Sequence, residues 1–403
     1  MLTQSGLTLT EWVGYPLRMI GRDNIDALVA GIVPQAVELR RLLHRHPEPA
    51  NEEHRTTALI ASSLDENGIG YQARKHRTGL WLDIGPEPQI AFRADLDALP
   101  IEEPEENTPR SQNPGWMHAC GHDAHAAIAF GIAVALRRLD LPTGVRILFQ
   151  PAEEAFPGGA AQFVDEGLVD GLKAIIAFHV DPSLEMGKVG SRTGPITASA
   201  DKFTIVLEGP GGHTARPHQT VDLIADAARL VHELPGVLRR TVDARSILTV
   251  AFGSIQGGTT SNVIPTRVEL QGTARTLDRG LWDVLPGLMD KAVGSLMGWS
   301  GAGYAIDYVQ AIPPVVNDQA VVRAATGGIS HLLGPESLVP TEPSMGGEDF
   351  ANYLSVTPGA LLRLGSSGRG HDLHSPGFTL DEGTIGVGIR AGLAAVIGLI
   401  DEL

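Results

Sequence analysis

The segment 117-MHACGHDAH-125 sets a thiol, Cys120, two residues from an imidazole, His122, across Gly121. At that spacing both side chains can face one metal ion or an adjacent pair. Thiolate and imidazole together suit zinc, while a mixed oxygen and nitrogen shell also admits manganese, cobalt or nickel. Spacing alone leaves two other chemistries open. Cys120 can be a small buried hydrophobe, or a nucleophile activated by histidine. Two residues of separation makes the nucleophilic dyad awkward, and nothing else marks an acyl-enzyme site.

Acids and histidines recur at the ends of apolar runs. The run 90–94 leads into Asp95 and Asp97, the run 145–150 into Glu153 and Glu154, and the run 174–178 into His179. Singly, each has an ordinary reading: a strand-terminal Asp forms turns or caps helices, and a lone His after a strand is usually a satisfied core residue. Three such runs delivering polar groups to one edge of one sheet favour a site, because ligands of open parallel sheets bind outside the carboxyl ends of the strands. The pair Glu153–Glu154 carries a further implication. Two buried carboxylates side by side repel, so one stays protonated unless a cation compensates. With a metal present the roles divide: one carboxylate coordinates, and its neighbour takes a proton from a metal-bound water.

The elements that must position these groups follow from hydrophobic period. Apolar residues recur at helical spacing over 31–46, and a second helix over about 52–67 stops at Gly68. Short apolar runs at 79–85, 89–94, 145–150, 174–180 and 360–365 read as strands, with helices over 122–138 and 160–168 between them. Unbroken apolar strands alternating with helices indicate an α/β fold, a mostly parallel sheet with helices on both faces. The middle of the chain reads as strand 201–209, helix 220–234, strands 246–255 and 263–274, helix 279–297 and strand 303–311. That βαββαβ order is ferredoxin-like. The expected organisation is an N-terminal arm over 1–30, either extended or a helix packed on the main body, a catalytic domain over 31–197 and 312–403, and an inserted α+β domain over 198–311.

A formal net charge of -16 leaves no excess of Lys and Arg to neutralise phosphates, which argues against a nucleic-acid partner. Residues 1–30 hold no continuous apolar core behind a basic start, so no signal peptide is expected. The apolar stretch 392–400 is about half a membrane span and reads as a buried terminal helix, so no membrane partner is expected. A single cysteine excludes an internal disulfide framework and places the protein in the cytoplasm.

Further stretches complete a pattern: 44-HRHPE-48, 92-FRADLDALPIEE-103, 148-LFQPAEE-154, 178-FHV-180, 211-GGHTARPH-218, 262-NVIP-265, 272-GTAR-275, 346-GGEDF-350 and 374-HSPGF-378. With 117–125 they resemble, in order and over nearly the whole chain beyond residue 34, the metallopeptidase family of aminoacylases, carboxypeptidases and indole-acetyl-amino-acid hydrolases, in its amidohydrolase branch. The resemblance implies two divalent ions, zinc before manganese, cobalt or nickel, held by Cys120, His122, Glu154, His179 and His374. It implies Glu153 as general base and Asp95 as an acid that orients a ligand or the bridging water. The inserted domain is then a lid and dimerisation surface of a homodimer. His213 would reach a partner's site to stabilise an oxyanion, and Asn262 and Arg275 would hold the substrate's amide or carboxylate. The expected reaction is hydrolysis of the amide bond of an N-acyl amino acid or similar small amide by a metal-bound water. A dipeptidase, carboxypeptidase or amide-forming enzyme on the same scaffold is the alternative, as is a metal-binding homologue without catalysis. The chain departs from the family pattern at Ala155-Phe156-Pro157, where relatives carry a glycine-rich run, and at Trp116.

Overall fold

The computed structural model describes residues 13–366 and 371–402. Their contacts divide them into two compact units. The first runs to Gly194 and resumes over Asn317–Glu342 and from Asn352 onward; the second comprises Pro195–Val316 and Pro343–Ala351. Pro343–Ala351 joins the second unit through backbone bonds: Ser344 N–H donates to Ile196 O and Ala198 N–H to Ser344 O.

The first unit is built on an eight-stranded sheet. Its order is Leu338–Pro340, Val189–Ser191, Gly359–Gly365, Ala174–Asp181, Pro88–Asp95, Gly144–Gln150, Leu80–Ile84 and Gln72–Ala73. Gly359–Gly365, Ala174–Asp181, Pro88–Asp95 and Gly144–Gln150 run parallel to their neighbours in this central block. Antiparallel pairing enters outside it, at Leu80–Ile84 against Gly144–Gln150 and at Gly359–Gly365 against Val189–Ser191. Gly359–Gly365 is buried throughout and Ala174–Asp181 nearly so, as central strands with both faces covered must be. The parallel direction brings the carboxyl ends of three chemistry-bearing strands to one edge.

Helix His122–Leu136 packs on the sheet and on helices Val33–Arg45 and Gly383–Glu402. All its residues are buried, and its polar ones, His122, Asp123 and His125, lie in the first turn. A helix apolar all round belongs inside a core; its polar start is where the candidate site begins. Gly383–Glu402 is long and apolar enough to cross a membrane, yet 78% of its apolar window is buried within the protein. The arm expected over 1–30 contains helix Arg22–Ala30, which buries Ile25, Leu28 and Val29; residues 1–12 of that arm lie outside the described residues.

The second unit carries a four-stranded antiparallel sheet in the order Leu248–Gly257, Arg267–Thr276, Ala200–Glu208, Gly303–Ile312. Helices Leu223–Thr241 and Arg279–Met297 pack against it around Phe203, Ile205, Leu270, Leu230 and Leu285. The run 263–274, expected as one strand, is two. Val263–Ile264 pairs with Gly212–His213, and Arg267–Thr276 joins the larger sheet. Pro265 divides them, since it has no N–H for a ladder.

A candidate metal centre

Cys120 and His122 flank the N-cap Gly121 of helix His122–Leu136, whose φ is 81°. A Cβ there would lie 2.6 Å from Val180 Cγ2, so glycine is required for conformation and for space. The bend turns thiol and imidazole toward the same volume. Cys120 Sγ lies 3.4 Å from His179 Nε2 and 3.3 Å from His374 Nε2. His374 Nε2 lies 3.0 Å from Glu154 Oε1, and His122 Nε2 is 4.0 Å from Glu153 Oε2. The donors of Cys120, His122 and His179 fall within 4.8 Å of one another, as do those of Cys120, Glu154 and His374, and those of His122, Glu153 and Glu154. Cys120, His122, Glu153 and His179 are buried, Glu154 is half-buried, and His374 is exposed. His371, three residues earlier, packs its ring beside Gly377 instead.

Hydrogen bonds separate the nitrogens with available lone pairs from those without. His179 Nδ1 donates to Val180 O at 2.8 Å, which leaves Nε2 bare and facing Cys120. His125 Nε2 accepts from Val180 N–H at 2.9 Å, so its Nδ1 carries the proton donated to Asp95 Oδ1 at 2.6 Å. Both nitrogens of His125 are thereby committed, which removes it from the metal-binding set. Asp95 is fully buried, with Arg93 Nη1 donating to Oδ2 at 2.7 Å and His122 Nε2 at 3.7 Å. It holds His125 directly and His122 only at a distance.

The electrostatics fit a cation. Burial pushes the Cys120 thiol up to about 12, although His122 pulls the other way. Burial also disfavours a charged His122, but Asp95, Cys120 and Asp97 raise its pKa well above the ordinary value. Asp95 itself is held well below the carboxylate range against its burial, by His122, His125 and Arg93. His179 is driven well below the ordinary imidazole value by burial, with His125 and Arg363 adding to it, so it stays neutral with a lone pair to give. Among the described residues, neither ring nitrogen of buried His122, nor Glu154 Oε1, has a hydrogen-bond partner in acceptable geometry. Orphaned buried donors and acceptors at this density are expected where an ion completes the site. A soft thiol, bare imidazole nitrogens and carboxylates form a donor set suited to divalent metal.

Several residues of the site are missed by sequence reasoning. Asp97, read only as a strand-end acid, accepts Glu153 N–H at 3.0 Å and Glu154 N–H at 2.9 Å, and its Oδ1 is 3.3 Å from His122 Nδ1. The repeat of Asp two residues after Asp95 was its signal. His125 is signalled by its three-residue spacing from His122, one helical turn. Behind the first turn, Asp123 Oδ2 meets Arg40 Nε and His44 Nδ1, both at 2.8 Å, and His44 Nε2 reaches Glu103 at 3.0 Å. Their partners are distant in sequence, so no local pattern marks them.

The other three expected site residues lie in the second unit. His213 is exposed and pairs with Val263 across the short sheet, its Nδ1 accepting Ala215 N–H at 3.0 Å. Thr214 N–H donates to Asn262 O, and Thr260 Oγ1 to Asn262 Oδ1 at 2.9 Å. Arg275 stands apart on Arg267–Thr276, with Nη1 donating to Met345 O at 2.9 Å.

A thiol, imidazoles and paired carboxylates gathered at the carboxyl edge of an α/β sheet define a metal-dependent hydrolase. The sequence profile of Peptidase family M20/M25/M40 matches residues 91–396. An N-acetyl-L-cysteine deacetylase of Bacillus subtilis is 38% identical over 383 residues, covering 92% of this chain and 91% of that protein. A longer Rhodococcus jostii protein, named provisionally for a glutamate–cysteine ligase, is 44% identical over 371 residues. Those residues are 91% of this chain but 47% of that protein, so this chain spans about half its length. The crystal structure of a Bacillus subtilis dinuclear metal binding peptidase from the M20 family aligns with a TM-score of 0.82 at 33% identity, covering 93% of this chain and 100% of that one. The chain belongs to the M20/M25/M40 peptidase family. Within it, the protein is a metal-dependent amidohydrolase with a place for two divalent ions.

Proposed function

We propose that this protein hydrolyses the amide bond of N-acyl amino acids, with Glu153 as general base and acid. Cys120, His122, Glu154, His179 and His374 would hold the two ions, zinc before manganese, cobalt or nickel. When bound, these ions supply Lewis-acid activation of water and of the scissile carbonyl. The observation that carries the reading is the buried Glu153 carboxylate, 4.0 Å from His122 within a donor set whose His122 and Glu154 atoms are orphaned. Glu153 would take the proton of the attacking water and return it to the departing amine. Asp95 would act at one remove, by fixing His125 and through it the Val180 backbone beside His179.

The same reading assigns the second unit as lid and dimerisation domain of a cytoplasmic homodimer on a mostly parallel catalytic domain. There His213 would stabilise the oxyanion across the dimer, while Asn262 and Arg275 would orient the substrate. Arg275 suits a carboxylate because its planar fork of donors matches one. The test is Glu153→Gln. Metal content should survive while amine release from N-acyl amino acids falls by about 10²–10⁴-fold. Retained turnover would remove Glu153 as base.

A further inference from the structure

We propose that Glu53 is a positioning residue for Glu153, its buried carboxylate holding the left-handed turn from which Glu153 and Glu154 project. The inference rests on Glu153 being the base. Among the described residues, four non-glycine positions have positive φ, and two of them, Asn51 at 64° and Ala152 at 54°, meet at one oxygen. Asn51 N–H donates to Glu53 Oε1 at 3.0 Å and Ala152 N–H to the same atom at 2.7 Å. Thr78 Oγ1 donates to Oε2 at 2.5 Å, and Glu53 is fully buried.

The next two amides, of Glu153 and Glu154, go to Asp97. Three consecutive N–H groups are therefore received by two buried carboxylates. Alanine disfavours the left-handed region, because its Cβ crowds the following carbonyl. Left alone, Ala152 would relax and swing Glu153 away. Charged acceptors hold an amide more strongly than neutral ones. The far side of the turn is fixed as well: Gly159 N–H donates to Ala152 O at 2.9 Å, and a Cβ on Gly159 would lie 1.8 Å from Pro151 O. Backbone strain held by its surroundings is characteristic of functional sites. Here the holding group is an acid placed beside other acids, at an electrostatic cost that a neutral cap would avoid.

The experiment compares metal-loaded wild type with Glu53→Gln on N-acetyl-L-cysteine and a panel of N-acetyl amino acids. The expected result is a kcat lower by about 10²-fold from displacement of Glu153, with KM and ions per chain unchanged. Amide hydrogen exchange over 150–156 should speed up. Adding Ala152→Gly should restore about tenfold of kcat, since glycine adopts positive φ without strain. Glu48→Gln is the structural control. Glu48 caps helix His54–Glu66 through Arg55 N–H at 3.0 Å and Thr56 N–H at 2.8 Å, so its loss should lower Tm and leave kcat intact. Should Glu53→Gln fail to fold, Thr78→Val removes one donor with shape kept, and a kcat lower by about three- to tenfold is expected. An effect on Tm alone, or a kcat loss without faster exchange or glycine rescue, overturns the proposal. Glu153→Gln in the same assay separates the two readings. If it retains turnover, the base assignment fails and this proposal with it; if it is silent while Glu53→Gln is fully active, Glu53 alone is wrong.

Discussion

Gly121→Ala is the sharpest perturbation the structure offers, because its two costs can be separated. The first is conformational: at φ 81° an L side chain costs about 1–2 kcal/mol. The second is steric, since the new Cβ would meet buried Val180 Cγ2 at 2.6 Å, and overpacking of this kind costs about 1–3 kcal/mol. Together they predict a destabilisation of about 2–5 kcal/mol. Val180→Ala removes the clashing methyl. It leaves untouched the Val180 N–H and O that hold His125 and His179, because those bonds are made by the backbone. By itself it deletes two buried methyl groups, worth about 1.6 kcal/mol. In the double variant the steric cost vanishes while the conformational cost stays, so the sum of the two single effects should exceed the effect of the double variant by about 1–3 kcal/mol. Guanidinium unfolding of chelated protein measures this coupling free of metal linkage. Metal analysis of the reloaded variants should then show Gly121→Ala holding fewer ions than wild type. A coupling below about 0.5 kcal/mol in folded variants would refute the account of why glycine stands between Cys120 and His122.

The remaining predictions concern the shell around that loop. His374→Ala should lose bound metal while His371→Ala keeps it, as read by ions per chain after desalting; equal retention removes His374 from the donor set. Asp97→Asn replaces one acceptor of the Glu153 and Glu154 amides with a donor, and should weaken metal retention by about 10–100-fold in a chelator competition. Retention equal to wild type would sink the role given to Asp97. Asp123 is held well below the carboxylate range, its burial outweighed by Arg40 and His44. Its folded pKa lies below its unfolded one, so its contribution to stability is present above about pH 4 and fades as pH falls further. Asp123→Asn should therefore destabilise the chelated protein by about 3–5 kcal/mol at pH 7, with the gap to wild type narrowing below about pH 4. A gap constant with pH would contradict this.

What the sequence made legible follows how local each signal is. Helix Arg279–Met297 has the expected limits, and the strands delivering Asp95, Glu153 and His179 lie where the apolar runs stood. Those elements state themselves in consecutive residues. Helix Leu223–Thr241 was expected to end near Pro235 but runs through it, because Leu234 and Leu238 continue the buried face. That packing outweighs a proline cost of about 3 kcal/mol. Over 1–30 the sequence leaves an arm and a packed helix both open, since the nine residues of Arg22–Ala30 are too few for a period to stand out. In the site, residue types and order pointed to Cys120, His122, Glu153, Glu154 and His179. The carboxylates that hold the loops did not announce themselves. Glu53 is 99 residues from Ala152, and Asp97 is 56 from Glu153; such pairings exist only once the sheet has formed.

Charge gives the deeper reason that first-turn polar residues cluster in so apolar a helix. Asp95 receives Arg93 and the His125 Nδ1 proton, and Asp123 is matched by Arg40 and His44, so each of these acids has a partner cation inside the fold. The group nearer the cluster is different. Glu153 and Glu154 share one short turn whose amides Asp97 receives, a thiol stands in the same cluster, and His122 lies within reach of Asp97 and Glu153. Burial disfavours a proton on His122, yet Asp95, Cys120 and Asp97 hold its pKa high. Buried acids in that number would favour protonation unless cations compensate. On the proposed ligand set, His122 would give up its proton and offer its lone pair to a divalent ion, whose charge would offset these acids. By matching Asp95 and Asp123 internally, the fold leaves this surplus of acid at the place where the proposed ions and base would sit.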